Sequence, residues 1–110
     1  MIGGVIVGGS GQGNARIVVR AIGPSLGPLG VANPLADPIL EIHNANGILT
    51  NLNDNWRDCQ EADIIATTLQ PSDNNESTVL MTVPPGSYTA IVFGKNSGTG
   101  VGLVEAFNIP

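Results

Sequence analysis

Apolar residues in this chain occur in short runs rich in β-branched side chains, and turn-forming residues separate the runs. A period of two between apolar and polar positions is typical of strands, whereas clusters of Gly, Pro and Asn are typical of turns. Seven segments fit this pattern: residues 2–7, 15–22, 39–43, 48–52, 77–83, 87–94 and 101–107. They predict an all-β fold, a jelly-roll-like sandwich of two antiparallel sheets with about seven strands.

Local signals predict how some of these strands pair. Asn46-Gly47, between the third and fourth segments, accepts positive φ and predicts a hairpin. Residues 87–94 carry apolar side chains on both faces, which predicts a central strand. A loop at 95–100 leads to residues 101–107, so we expect these last two strands to pair antiparallel.

Residues 53–71 are the one segment with helical character, because its apolar residues are separated by charged and polar ones. We expect one short helix near residues 60–68. Asp58 precedes this helix, and Asp is a residue type that caps helix N-termini through its side-chain oxygen.

The composition fits a single turn-rich β domain. The chain has 110 residues, including 15 Gly and 8 Pro, and is long enough to bury a core without a metal or a disulfide. We expect residues 1–14 to form an N-terminal strand plus a Gly-rich tether, and residues 15–110 to form the sandwich domain.

Charge and cysteine content exclude several classes of function. The net charge is −5, with four Lys and Arg residues, so no basic stripe is present and nucleic acid is excluded as a partner. No apolar run approaches the ~20 residues that would span a membrane. The one cysteine, Cys59, has no partner for an internal disulfide.

A serine-hydrolase pattern, G-x-S-x-G, occurs at residues 23–27 and places Ser25 at the nucleophile position. Pro28 and Gly30 prevent the helix that should follow, and His43 is in the wrong place for the usual order of a catalytic triad. We therefore predict that the protein is not an enzyme, with a Pro- and Gly-rich loop around Ser25 and with His43 as an exposed or core-edge residue of its strand.

Two loops rich in Asp and Asn offer the oxygen ligands that Ca²⁺ prefers. They contain Asp54, Asp58 and residues 73–76. The spacing of an EF-hand is absent. The alternative is that these Asn and Asp side chains hydrogen-bond the backbone of turns, with Asp58 as a helix cap. A structural Ca²⁺ site at Asp54 and Asp58 is one possibility, and no other cofactor is expected.

Three further side-chain positions leave alternatives open. Glu105 lies in phase with the apolar residues of the last strand, so it either points inward beside a partner such as Arg20 or lies on a partly open edge; we favour a buried pair. Trp56 and Tyr88 either form a platform for sugar stacking or fill the core. With aromatic residues at 4%, the core is favoured.

Several stretches together resemble the bacterial pre-peptidase C-terminal type of β-sandwich. They are residues 36–42, 46–47, 53–56 and 84–92. Residues 20–26 and 100–105 are similar to a related module of large secreted bacterial surface proteins. The resemblance implies export, a jelly-roll-like sandwich, and an accessory role in surface attachment, assembly or binding. It supplies no catalytic residues.

We therefore expect a non-enzymatic, secreted or cell-surface module with a structural or adhesive role. Its first strand, with Ile2, Val5 and Val7 as the contacting residues, could add to the sheet of a neighbouring subunit and build an oligomer or filament. The alternative for this strand is that it folds back into its own sheet. The alternative function is a Ca²⁺-stabilised accessory module that binds a glycan or a surface protein.

Overall fold

The computed structural model describes residues 2–7 and 14–109 and confirms the all-β sandwich. The strands are β1 Ile2–Val7, β2 Ala15–Ile22, β3 Pro38–His43, β4 Leu49–Asn53, β5 Ser77–Val83, β6 Gly86–Gly94 and β7 Leu103–Ile109. The helix is α1 Glu61–Ala66, and 3-10 turns cover Pro24–Leu26, Trp56–Asp58 and Lys95–Ser97. The Gly-rich tether predicted after β1 lies outside the described residues, except for Asn14.

The seven strands form two antiparallel sheets. One sheet has four strands in the order β1-β6-β3-β4, and the other has three in the order β5-β2-β7. Strand β6 therefore lies between two neighbours, which confirms that it is a central strand.

The predicted pairing of the last two strands is wrong. Strand β7 pairs with β2 in the three-stranded sheet, whereas β6 pairs with β1 and β3 in the other sheet. The connection is not a tight hairpin, because it turns through Lys95–Ser97 and then forms an isolated bridge from Val101 to Pro34. This path carries the chain from one layer to the other.

The core lies between the sheets and comes from alternate positions of the central strands. Strand β2 contributes Ile17, Val19 and Ala21. The sheet opposite contributes Leu40, Ile42, Ala90 and Val92, all with at most 2% of their surface exposed. These residues sit two apart along each strand, so the predicted alternation is what places them in one layer.

Strand β2 is buried on both faces, as its nearly continuous apolar sequence predicts. Val18 points away from the core cluster yet is fully buried. On the same face Arg20 donates through Nη1 to the carbonyl oxygen of Leu69, 3.2 Å away and just after α1. The segment that contains α1 therefore covers the outer face of this sheet.

The predicted hairpin is confirmed between β3 and β4. Asn44 N donates to the oxygen of Ile48 at 3.0 Å, and the Asn44 side chain accepts from Asn46 N and Ile48 N. Gly47 has φ +76°, a conformation that favours glycine. The register shifts between Ile42 and His43, so β4 carries one extra residue there.

The short helix is confirmed, but the predicted cap is wrong. Asp58 ends the preceding 3-10 turn, and Gln60, with φ 62°, occupies the N-cap position. The extended Cys59 and the left-handed Gln60 separate Asp58 from the first turn of α1. The Gln60 side chain instead pairs with the backbone of Leu80 at the edge of β5, at 2.9 and 3.2 Å.

Among the described residues, no helix combines the length and hydrophobicity that crossing a membrane would require.

We predict that Leu40→Ala lowers the free energy of unfolding by about 2–5 kcal/mol, because it empties a fully buried site between the sheets. Urea denaturation followed by circular dichroism measures this loss. Leu52→Ala is the control, since Leu52 is 59% exposed and the change should stay within about 0.5 kcal/mol. Equal losses for the two variants would contradict the inter-sheet core.

Candidate functional site

Ser25 is part of a buried hydrogen-bond network around the carboxylate of Glu76. Glu76 is fully buried, and its Oε2 accepts from the backbone N atoms of Gly23 and Ser25, both at 2.9 Å. Its Oε1 accepts from Ser25 Oγ at 2.6 Å and from Asp73 N at 3.2 Å. These bonds fix the loop after β2 to the loop before β5, which is a structural task.

Sequence reasoning missed Glu76 as a buried anchor. We grouped it with the oxygen ligands of residues 73–76, because a Glu in an Asn- and Asp-rich loop is usually exposed. Its position directly before the buried start of β5 was the one available signal.

His43 and Ser25 have different hydrogen-bond partners. His43 Nε2 lies 3.0 Å from Glu41 Oε1, and Nδ1 lies 3.3 Å from the oxygen of Gly47. The hydrogen bond to Glu41 and the Gly47 carbonyl raise the pKa of His43. The hydroxyl group of Ser25 instead bonds to Glu76 and to Ser72, the latter at 2.7 Å between hydroxyl oxygens. That the protein is not an enzyme stays a prediction.

At the predicted Ca²⁺ site, Asp54 already has a cation as neighbour. Lys95 Nζ lies 2.8 Å from Asp54 Oδ2, and this bond raises the pKa of Lys95. Asp58 accepts a long hydrogen bond, 3.4 Å, from Asn55 Nδ2. Within residues 2–7 and 14–109, no three His, Cys, Asp or Glu side chains are grouped so as to hold a metal ion. The Ca²⁺ site stays a prediction.

Asp37 joins the pair of Asp54 and Lys95. Its pKa is raised, first by burial and then by its hydrogen bond and its like charge with Asp54. The backbone N of Lys95 also donates to the oxygen of Asp37 at 3.0 Å, which links the loop after β6 to the start of β3. Two carboxyl groups and one ammonium group therefore share this end of the sandwich.

The predicted partnership of Arg20 with Glu105 is confirmed. The two residues are directly opposite on β2 and β7, and their side chains form an ion pair. The guanidinium group also lies 5.0 Å from the centre of the Phe107 ring. The side chains are 19% and 31% exposed, so the pair is half-buried rather than fully buried.

Trp56 is buried, as favoured from the sequence, and Tyr88 is partly buried against the core. Trp56 is 1% exposed, and the guanidinium carbon of Arg57 lies 4.3 Å from the centre of its ring. Tyr88 packs against the core, and its hydroxyl donates to the oxygen of Pro84 at 2.6 Å. A sugar platform made of these two rings therefore has no support, because the indole face is not accessible.

Strand β1 occupies an edge of the four-stranded sheet. Its six residues pair with the first six residues of β6, in a register that places Ile2 opposite Ile91, Val5 opposite Tyr88 and Val7 opposite Gly86. The strand therefore folds back into its own sheet, which was the alternative to addition onto a neighbour. Self-association through Ile2, Val5 and Val7 stays a prediction.

A cavity lies beside the last residues of β6, from Val92 to Gly94. Its volume is about 260 Å³. It is lined by Leu35, Val92, Phe93 and Thr99, and by four glycines of the strand end and the following loop. All of these residues are uncharged.

No protein-family model matches the sequence, and neither a curated protein nor a solved structure matches it. The resemblance to pre-peptidase C-terminal modules accordingly stays a prediction, and the candidate site rests on the geometry of the β1–β6 edge.

We predict that Asp37→Asn raises the melting temperature at pH 7. A carboxyl group whose pKa is higher in the folded state stabilises the fold at low pH and loses that contribution as the pH rises through the folded pKa. The gain should therefore disappear towards pH 3, below the ordinary pKa of 3.8. Thermal scans from pH 3 to pH 8 measure it.

The control for charge alone is Asp63→Asn, which removes an exposed carboxylate from α1 and should give no gain at pH 7. A melting temperature for Asp37→Asn below that of the wild type at pH 7 would contradict the unfavourable ionisation of Asp37.

We also predict that Glu76→Gln lowers the free energy of unfolding by about 2–3 kcal/mol, because an amide nitrogen cannot accept the buried N–H and O–H groups that face it. Denaturant titration measures the loss. Glu61→Gln, which removes an exposed ion pair with Arg57, should cost less than about 1 kcal/mol. A loss no larger than that of Glu61→Gln would show that the network does not hold the loops.

Proposed function

We propose that this protein is a non-enzymatic structural module of the bacterial cell surface that assembles by exchange of strand β1 between copies. The observation that carries the proposal is the position of β1. It is an edge strand, it pairs with β6 and with no other strand of the described chain, and its pairing is antiparallel over its full length.

Exchange requires no new contact surface. If β1 of one copy leaves β6, the backbone of β6 accepts the same strand from a second copy in the same register, so the hydrogen bonds broken and formed are equivalent. The free-energy cost of exchange is then mainly the translational and rotational freedom that is lost when two copies associate.

The segment between β1 and β2 is long enough to let β1 extend to a second copy. Residues 8–14, Gly-Gly-Ser-Gly-Gln-Gly-Asn, join β1 to β2 and have the composition of a flexible linker. Seven residues span roughly 23 Å when extended. If the same exchange repeats from copy to copy without closing, the product is an open filament.

The surface location is supported by composition and by the resemblance. Polar residues are mostly Asn, Ser and Thr rather than Lys, and the net charge is −5. Such a surface keeps a secreted domain soluble. The resemblance to modules of secreted bacterial proteins points the same way.

We predict that a disulfide forms between two different chains when their cysteines occupy opposite positions of β1 and β6. Gly4 lies opposite Thr89, and a Cβ built at Gly4 has no atom within 4 Å. Both single variants, Gly4→Cys and Thr89→Cys, are made in a Cys59→Ser background, because Cys59 is exposed. After mixing and mild oxidation, non-reducing electrophoresis should show a dimer that contains one chain of each variant.

Two controls make the result specific. Mixing Gly4→Cys with Thr82→Cys, whose cysteine lies on β5, should give no comparable dimer. The double variant Gly4→Cys with Thr89→Cys reports pairing within one chain. If the double variant closes internally while the mixed single variants stay monomeric, β1 is not exchanged and the proposal fails.

A further inference from the structure

We propose that two copies of this chain pair through strand β7, antiparallel and related by a two-fold axis at Ala106. The surface is the free side of β7, and the partner is β7 of a second copy. Two three-stranded sheets then join into one continuous sheet. The contact does not use β1, so its test is separate from that of the proposed strand exchange.

Strand β7 has a neighbouring strand on one side. It pairs with β2 along all seven of its residues. Within residues 2–7 and 14–109, no strand lies on its other side. A border strand presents N–H and C=O groups on its free side, and these groups can pair with another chain.

The borders at β4 and β5 carry features that oppose such pairing. On β5, the side-chain amide of Gln60 bonds to the Leu80 oxygen at 2.9 Å and to the Leu80 nitrogen at 3.2 Å, so it occupies groups that an added strand would use. On β4, the register shifts beside Ile42 and His43. Strand β7 has no shift against β2 and contains no Pro or Lys. Of these three borders, β7 is the one suited to regular pairing.

The opposite sheet leaves room for a second chain beside β7. Ala106 and Asn108 lie on the face of the core, since they pair with the core residues Val19 and Ile17. Both are nevertheless exposed. On the other face, Leu103 is 42% exposed. The free side of β7 can therefore be approached along the strand.

The sequence of β7 is complementary to itself when two copies overlap over their full length. With Ala106 opposite Ala106, Leu103 faces Ile109 of the second copy. Glu105 then faces Phe107, so no like charges are directly opposite and apolar side chains meet at both ends. A shift of the two-fold axis to Glu105 would lose two of the seven pairs and set Glu105 against Glu105.

The one charged residue of β7 keeps its counter-charge in this contact. Glu105 forms an ion pair with Arg20 of its own copy. The same guanidinium group lies 5.0 Å from the centre of the Phe107 ring. Because a carboxylate that lost its cation would be desolvated without compensation, this ion pair makes pairing at β7 compatible with a charge in the strand.

Sedimentation velocity of the full chain over a range of concentrations tests the contact. Ala106→Lys should weaken self-association at least about tenfold, because it sets two like charges directly opposite each other. An equimolar mixture of Ala106→Lys with Ala106→Glu should restore association, since the opposed charges are then unlike. The matched control is Thr82→Lys, the same change of charge at an exposed position of β5, which should leave self-association unchanged.

A cysteine scan tests the register. In a Cys59→Ser background, Ala106→Cys should form a disulfide between two chains on mild oxidation, because the two cysteines would be directly opposite. Asn108→Cys is the control. It is exposed on the same face, but it would lie opposite Val104 and should give no comparable dimer on non-reducing electrophoresis.

A wild-type chain that stays monomeric up to about 1 mM would overturn the β7 contact. Oligomers that Ala106→Lys leaves unchanged, or a mixture of the Lys and Glu variants that associates no better than either alone, would do the same. Equal dimer yields from Ala106→Cys and Asn108→Cys would overturn the two-fold register. The cross-link between Gly4→Cys and Thr89→Cys does not involve β7, so it reports strand exchange whatever the outcome here.

Discussion

The packing of two sheets through alternate apolar positions is the interaction on which the rest of this structure depends. Each central strand sends every second residue into one shared layer, so shifting any strand by one residue would turn its buried set outward. The buried set includes Val19 on β2, Leu40 on β3 and Val92 on β6. Because this layer fixes the register, it also fixes which backbone edges lie at the borders of the sheets.

The loops at one end of the sandwich are ordered by hydrogen bonds rather than by apolar contact. The Ser77 hydroxyl lies within hydrogen-bond distance of the carbonyl oxygens of Pro38 and Asp54 and can donate its proton to either of them. The Glu76 carboxylate accepts from backbone N–H groups of the loop after β2. Buried hydrogen bonds of this kind favour one arrangement of the chain, because an alternative that breaks them leaves a buried donor or acceptor unpaired. The cavity beside β6 lies at the same end of the molecule.

Much of the fold could be predicted from the sequence, because period-two alternation and turn residues are local signals. The hairpin at Asn46-Gly47 is an example, since both its strands and its turn lie within the sixteen residues from Pro38 to Asn53. The pairing of β7 could not be predicted in this way. A loop at 95–100 suggests a hairpin, but the bridge from Val101 to Pro34 depends on a residue far away in the sequence.

The candidate site was predicted in part. The apolar character of β1 and the Gly-rich residues after it are visible in the sequence, and they led to the strand-exchange hypothesis. The acceptor strand and the cavity were not visible, because each brings together residues that are far apart in the sequence, such as Ile2 with Ile91 and Leu35 with Gly98. The role of Glu76 was hidden for a similar reason, since its burial follows from loops that meet only in three dimensions.

The extra residue of β4 gives the four-stranded sheet two unlike borders. At the β4 border, Thr50 is inserted opposite the step from Ile42 to His43 and bonds through its hydroxyl to the Ile42 oxygen at 3.2 Å. An irregularity of this kind twists a border away from an incoming chain. The proposed exchange of β1 would therefore use only the border beside β6, and growth of an assembly would have a direction built into each subunit.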